Sequence, residues 1–552
     1  IHNNLVRWMM STTTNLGLQK QKQIYRKTIK IFGPPGTGKT WTLIERVVKK
    51  YLKKGIDADK IAFISFTNKA VDTAKFRALE AFPHLDSKSF SRFRTLHSYC
   101  RRYFEEEIFD TKDCMIDYAL TNNFVKRSDN RLSQDNFTYS DWSLGIYDKA
   151  RNLLEDPVLV YKKETQKKES LDVYTRKIDT YEHYKTSGGE RSFLDFTDMI
   201  ERALHEVEFP ELEVLILDEA QDFTPLQWSL IYKMSDRVKR IYLAGDDDQA
   251  IYQWNGADTK YFTKYFPGRK VVLRKTRRFG TAIHQFSQII RKGILDSVDK
   301  EFEPLVKEGL VKRYLSFKEI PFEKDEGKWF LLGRIHTTVN ELKALAKDAG
   351  IFFADNKGQK SFDQNQWLAI KAWTAISNGR EIMKKEAEVM YKFIREVTDS
   401  DYRTPKFWSR EPDYKRYDFT ALKEWCGLDL PDEAQKKQWW WILRRNFKPR
   451  QVIYFLRLLK RYKQSKLDEV PNVIIDTIHS VKGDEANHVL LYSKANWPSS
   501  FRHKNKDEKS NEKKVWYTGV TRAKDSLHLL STDYKYNYPI GQDYLVYVQG
   551  EK

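Results

Sequence analysis

Residues 33–40 read GPPGTGKT, a match to G-x-x-x-x-G-K-[ST]. The string constrains the fold because its chemistry needs a fixed setting. A strand must deliver the chain to the loop, and a helix must carry it away. The flanks supply both: apolar IKIF (29–32) precedes it and WTLIERVVKKYL (41–52) follows with helical apolar spacing. In such a loop Gly33, Pro34, Pro35, Gly36, Thr37 and Gly38 turn backbone N–H groups inward around phosphates. The helix start adds partial positive charge. Lys39 is expected to reach the β- and γ-phosphates, and Thr40 to ligate Mg²⁺.

A second string completes a nucleotide site. VLILDEAQD (214–222) is an apolar run ending in two acids. A parallel strand there brings Asp218 to the sheet's C-terminal edge, where open α/β sheets bind ligands. Asp218 is expected to hold Mg²⁺. Glu219 is expected to orient and deprotonate the attacking water. Two adjacent acids alone also suit a solvated turn; the phosphate loop decides for the nucleotide.

Other β-branched runs recur between helical stretches: KIAFISFTN, KRIYLAGDDD, NVIIDTIHSVKG and NHVLLYSK. This alternation predicts α/β cores with parallel sheets and crossover helices. At 552 residues, with 40% hydrophobic residues, the chain predicts several domains with buried cores. Residues 104–188 and 356–468 interrupt the pattern and read as mostly helical insertions. Segment 502–514, RHKNKDEKSNEKK, reads as a solvated loop or a basic strip near a polyanion. A formal net charge of +20 favours a polyanionic partner, nucleic acid before anionic membrane. No apolar run approaches the roughly 18 residues of a membrane span, and nothing near the start reads as a secretory signal. Cys100, Cys114 and Cys426 are far apart and form no metal or disulfide pattern. The expected setting is a reducing interior, cytoplasmic.

The strings GPPGTGKT, FTNKA (66–70), TLHSYCRR (95–102), LDFTDM (194–199), LDEAQD (217–222), GDDDQAIYQWNGA (245–257), TIHSVKGDEA (477–486) and YTGVTRAK (517–524) occur in one order. They resemble the signature motifs of UvrD/Rep/PcrA-like superfamily 1 DNA helicases. The resemblance implies two RecA-like cores of the P-loop NTPase type. The first is 1–103 and 189–280, interrupted by the insertion 104–188. The second is 281–355 and 469–552, interrupted by 356–468. It implies ATP and Mg²⁺ as cofactors, single-stranded DNA and single-strand/duplex junctions as partners, and replication or repair proteins beside them.

Site residues carry over one by one. Gln249 would contact the γ-phosphate and the attacking water. Arg278 and Arg522 would reach the γ-phosphate when a cleft closes, which couples hydrolysis to movement. Glu485 would contact the ribose. Tyr252 and Trp254 would carry bases by stacking, as would Phe66; all three also suit a core. Thr67, Asn68, Thr95, His97, Thr477 and His479 suit contacts to a nucleic-acid backbone, and each alone also suits a turn or cap. The implied activity is ATP-dependent 3′ to 5′ movement on single-stranded DNA with strand separation. The alternatives are a translocase that displaces proteins without unwinding, or a DNA-binding scaffold.

The chain departs from the family in three places. Where the family has a tyrosine that stacks on adenine, this chain has Arg277, and Arg277 and Arg278 can exchange roles. Gln19, Gln21 and Gln23 compete for the adenine-reading glutamine. The second insertion is short and lacks the Gly-Ile-Gly duplex-contact pattern. Tyr534, Tyr536 and Tyr538, followed by Pro539 and Gly541, read as a strand and turn. Tyr536 or Tyr538 would then be the strand-separating pin, or the tyrosines would cover the second core.

Overall fold

The computed structural model describes residues 15–122, 141–164, 168–187, 193–322, 326–495, 504–531 and 537–550. By packing, the chain forms two compact units. The first comprises residues 1–310, 503–524 and 546–552; the second comprises 311–502 and 525–545.

The first unit is built on a six-stranded sheet. Its strands are β1 (Thr28–Phe32), β2 (Ile61–Ser65), β3 (Phe93–Thr95), β4 (Leu212–Leu217), β5 (Val238–Gly245) and β6 (Arg269–Val272). Their spatial order is β3-β2-β4-β5-β1-β6, and every pair is parallel. Runs such as VLIL are continuously apolar because both faces are covered. Ala62, Ile64, Leu215, Leu217 and Leu243 enter the core on one face. Ile61, Phe63, Val214, Ile216 and Ala244 enter the core on the other. Each such side chain contributes about 1.5–3 kcal/mol on burial.

The first insertion is helical, with helices Lys112–Thr121, Trp142–Leu153, Pro157–Lys163 and Leu171–Ser187. A buried ionic cluster fastens it to the sheet side. Arg151 pairs with Asp195 at 2.8 Å, Asp198 at 2.5 Å and Glu201 at 2.7 Å. Lys185 reaches Asp195 and Asp198, each at 2.8 Å. Asp195 and Asp198 also form the capping box of helix Phe196–Glu206, within the string LDFTDM.

The second unit holds β7 (Leu310–Tyr314), β8 (Trp329–Gly333), β9 (Phe353–Ala354), β10 (Val473–Thr477), β11 (Ala486–Tyr492) and most of β12 (Ala523–Leu530). Their order is β9-β10-β8-β11-β12-β7, with β9-β10, β10-β8 and β8-β11 parallel. Its insertion carries helices Gln364–Ser377, Lys384–Tyr391, Phe419–Cys426 and Pro449–Arg461 around a core containing Trp367, Trp373, Trp408 and Trp439. Among the described residues, no helix is long and apolar enough to cross a membrane. The three cysteines are free thiols.

Two expectations are corrected. The stretch read as a loop at 502–514 is largely the start of a helix, Lys506–Val520. Asn505 and Glu508 form its capping box, and Glu512 accepts a 3.0 Å bond from the Trp516 indole. Charged residues hid it because its inner face meets polar partners: Glu512 and Lys514 are buried. Of the strand and turn expected over 534–541, residues 534–536 lie outside the described residues, and from Ile540 the chain is helix Ile540–Gly550. Pro539 precedes the helix, where its fixed φ is tolerated.

Candidate nucleotide and nucleic-acid site

The phosphate loop lies at the C-terminal end of β1, beside the end of β5; Gly33 N–H donates to the Gly245 carbonyl at 3.0 Å. Its glycines are required by space. A Cβ on Gly36, where φ is +74°, would lie 2.4 Å from both Thr276 Oγ1 and Arg278 Cβ. Gly38 has φ +81° and leads into the helical run that starts at Lys39. Lys39 Nζ lies back over the loop, 2.8 Å from the Gly33 carbonyl.

At the end of β4, Asp218 is fully buried and accepts a 2.6 Å bond from Thr40 Oγ1. Burial, then the neighbouring Glu219, pushes its carboxyl up to about 6, against Thr40 and Lys39. A hydroxyl and a carboxylate meeting beside a phosphate cradle form a hard oxygen donor set that fits Mg²⁺. Glu219 has φ +55°, the left-handed region that costs a non-glycine residue about 1–2 kcal/mol.

Gln221, which the sequence reading passed over, ties this site to the next strand. Its Nε2 donates to Glu219 Oε2 at 2.6 Å, and its Oε1 accepts from Asp246 N–H at 2.9 Å. From Asp246 the network continues. Gln249 Nε2 donates to Asp246 Oδ2 at 2.6 Å, and Gln249 Oε1 accepts from Arg522 Nη2 at 2.5 Å. Arg522 is 2% exposed and also donates to the Thr518 carbonyl. Arg278 Nη1 donates to the Thr521 carbonyl at 2.8 Å. Both arginines therefore meet one segment, at the end of helix Lys506–Val520, which packs within the first unit.

The acidic turn is neutralised by a lysine the sequence does not advertise. Lys300 is fully buried and pairs with Asp246, and at 2.8 Å with both Asp247 and Asp248. These three acids hold its ammonium well above the ordinary range despite burial. Lys300, then Lys39, holds Asp246 below its ordinary value although burial pushes it up. Arg291 adds a 2.7 Å bond to Asp248. Lys300 lies in ILDSVDKEF, where nothing in the spacing marks it.

Arg277 N–H donates to the Gly36 carbonyl at 2.8 Å, and its guanidinium lies 5.1 Å over the Trp41 ring. Trp41 directly follows Thr40 and is partly exposed. A flat cation–aromatic pair thus stands beside the phosphate loop, a surface a base can stack on.

The nucleic-acid candidates divide. Phe66 and Tyr252 stack, with ring centroids 4.7 Å apart. Trp254 lies 6.4 Å from Tyr252 and is 65% exposed. Tyr252 is close enough to Glu219 and Asp222 that, after burial, their charges raise its phenol further. Thr67 and Thr95 cap helices: their hydroxyls accept from Ala70 and Ser98 N–H at 3.3 Å. Asn68 opens the helix that Thr67 caps. His97 stands beside Phe196, 5.4 Å between rings. Burial lowers its pKa to about 4, against Asp195, so at neutral pH it is uncharged.

Thr477, His479 and Glu485 lie in the second unit. Thr477 ends β10, and its Oγ1 accepts from Ser480 N–H at 3.2 Å. His479 and Glu485 follow on a half-buried turn. Tyr538 does not form an exposed tip. It is 2% exposed, and its N–H donates to the Ser493 carbonyl at 2.9 Å. A ring that is covered cannot press on a base pair, so the pin assignment to Tyr538 is withdrawn. Tyr534 and Tyr536 lie outside the described residues.

Two family models match the chain, the UvrD/REP helicase N-terminal domain over residues 15–266 and the UvrD-like helicase C-terminal domain over 432–534. The chain belongs to the UvrD/REP helicase family. Its relatives include the ATP-dependent DNA helicase PcrA of Bacillus subtilis, 25% identical over 66% of this chain and 50% of that protein. A probable DNA helicase II homolog of Mycoplasma pneumoniae is 22% identical over 91% of this chain and 81% of its own length. PcrA of Staphylococcus aureus is 21% identical over 67% of this chain and 52% of its own. The chain thus spans about half the length of these PcrA relatives. In this UvrD/REP family chain a buried hydrogen-bonded line runs from Glu219 through Gln221, Asp246 and Gln249 to Arg522, and Arg278 meets the neighbouring Thr521 carbonyl.

Proposed function

We propose that this chain hydrolyses ATP and uses the cycle to move 3′ to 5′ along single-stranded DNA and separate duplex. The observation that carries the reading is the hydrogen-bonded line from Glu219 to Arg522. The loop of 33–38 binds the triphosphate through its N–H groups, and Lys39 neutralises the γ-phosphate. Thr40 and Asp218 would hold Mg²⁺, which when bound would draw charge from the β- and γ-oxygens. Glu219 takes a proton from a water whose oxygen attacks the γ-phosphorus, and the bond to the β,γ-bridging oxygen breaks. Gln249 reports the γ-phosphate to Arg522. Arg522 lies on the two-residue turn between helix Lys506–Val520 and β12, so occupancy of the site is passed along the chain. Tyr252, stacked on Phe66 and within the field of Glu219, lets the strand sense the same event.

The test joins two measurements. Wild-type protein is expected to hydrolyse ATP faster with single-stranded DNA and to unwind 3′-tailed duplex in preference to 5′-tailed or blunt duplex. ATP turnover indifferent to DNA would overturn the reading. Displacement of a protein block with no unwinding of any tailed duplex would favour the second reading, a translocase.

A further inference from the structure

Gln249 carries an amide with two unlike ends. Its Nε2 donates to Asp246 Oδ2 at 2.6 Å, and its Oε1 accepts from Arg522 Nη2 at 2.5 Å. Turned over, the amide would set its carbonyl against the Asp246 carboxylate and its N–H groups against the guanidinium. Its orientation therefore depends on Asp246 standing there as a charged acceptor. Asp246 is fully buried, and burial disfavours a carboxylate with no cation beside it. The cation is Lys300. Its ammonium pairs with Asp246 through Oδ1, which leaves Oδ2 to Gln249.

Lys300 is itself held in place. It follows helix Thr281–Arg291 after a short loop, and that loop is pinned to the acidic turn. Val298 N–H donates to Asp247 Oδ2 at 2.8 Å. Arg291 Nη2 donates to the Val298 carbonyl at 2.9 Å, and its Nε to Asp248 Oδ2 at 2.7 Å. Lys300 also lies 2.8 Å from Asp247 and from Asp248. All of these groups, and Arg522 with them, belong to the first unit. A buried ionic set is a poor source of stability. Apolar residues of the same volume in place of the whole set often do as well, although removing one member alone is costly. What an ammonium does here that an apolar side chain cannot is to fix a negative charge where the Gln249 amide needs one.

We propose that Lys300 is a positioning residue for ATP hydrolysis, fixing Asp246 so that the Gln249 amide keeps one orientation, carbonyl toward Arg522. The inference rests on the reading of the chain as an ATP-driven motor, and deepens it. Lys300 acts through Asp246 and Gln249, whereas nucleotide is bound by the loop of 33–40. Its loss therefore lowers turnover and spares binding.

The test uses the full chain, with steady-state ATPase at saturating single-stranded DNA beside fluorescent-nucleotide binding. Melting curves fix a temperature at which every variant is folded. Lys300→Met is expected to lower kcat by about 10- to 100-fold, the scale of a misplaced group near the chemistry. KM for ATP and nucleotide affinity should stay near wild type. Lys300→Arg keeps the cation and should recover most of the loss. The deciding comparison is made in a Gln249→Ala background. There Lys300→Met should lower kcat no further, because residues that act as one unit are not additive. Wild-type kcat in folded Lys300→Met overturns the proposal. So does a full second fall in the double variant, which would leave Lys300 a stability role alone. Should Lys300→Met fail to fold, Lys300→Gln, which keeps a donor without the charge, carries the same expectations through the same cycle. Wild-type turnover that ignores DNA would strike the motor reading and leave the Lys300 comparison standing.

Discussion

Glu219 sits in the left-handed region, and its carboxylate is held by Gln221 at 2.6 Å. Strain of this kind persists only where the surroundings over-determine it. Here the buried line through Gln221 and Asp246 supplies that constraint. Glu219→Gln keeps the shape but cannot take a proton, so ATP turnover should fall by about 10²- to 10⁴-fold with nucleotide binding retained. Steady-state ATPase beside fluorescent-nucleotide binding checks this, and near-wild-type turnover would remove Glu219 from the base role. Lys39→Ala should abolish turnover by leaving the γ-phosphate unneutralised. Trp254 is exposed, and among the described residues its ring meets that of Tyr252 edge-on. Trp254→Ala should therefore cost about 1–3 kcal/mol in single-strand binding and leave DNA-free ATPase and thermal stability unchanged. A lower melting temperature with intact DNA binding would make Trp254 a packing residue instead.

Among the elements, legibility followed how openly the physics is written in side-chain type. β4 was readable because a parallel strand buried on both faces must be mostly apolar, as Val214–Leu217 are. The phosphate loop was readable because its glycines answer to space, as the 2.4 Å approaches at Gly36 attest. Helix Lys506–Val520 was not, because its buried face is polar: Glu512 bonds Trp516, and Lys514 lies near Asp247 and Asp248. Lys300 was invisible for the same reason, since its partners are some fifty residues away in sequence. Yet it carries the acidic turn. Lys300→Met would leave Asp246, Asp247 and Asp248 buried without their ammonium, and breaking a buried ionic set from one side costs about 3–5 kcal/mol. Denaturant melts should show that loss. Lys300→Arg should recover part of it, and a Lys300→Met protein as stable as wild type would show the turn neutralised by other groups.

At the scale of the molecule, the +20 charge and the two-sheet plan act together. Lysines and arginines outnumber acids by 20, and the first unit carries the aromatics Phe66, Tyr252 and Trp254 close together. Binding to polyanions should thus be driven by released counterions. A second molecular property is written in the second sheet. His528 on β12 is fully buried, bonded to Ser526 at 2.7 Å and to Tyr314 at 3.2 Å. Burial, then His488 and Lys312, lowers its pKa to about 4 from 6.5. A folded-state pKa below the unfolded one means the unfolded chain binds the proton more tightly. The stabilisation is therefore complete above about pH 6.5 and is lost as pH falls toward 4. A shift of this size corresponds to at most about 3.4 kcal/mol, at 1.36 kcal/mol per unit. His528→Gln keeps a polar side chain but cannot titrate. Thermal melts between pH 7.5 and 4.5 should show the wild type losing more stability than His528→Gln across that window, so the two curves converge on the acid side. Parallel curves would mean that the acid sensitivity of the fold arises elsewhere, with His97, uncharged beside Asp195 in the first unit, the next residue to replace.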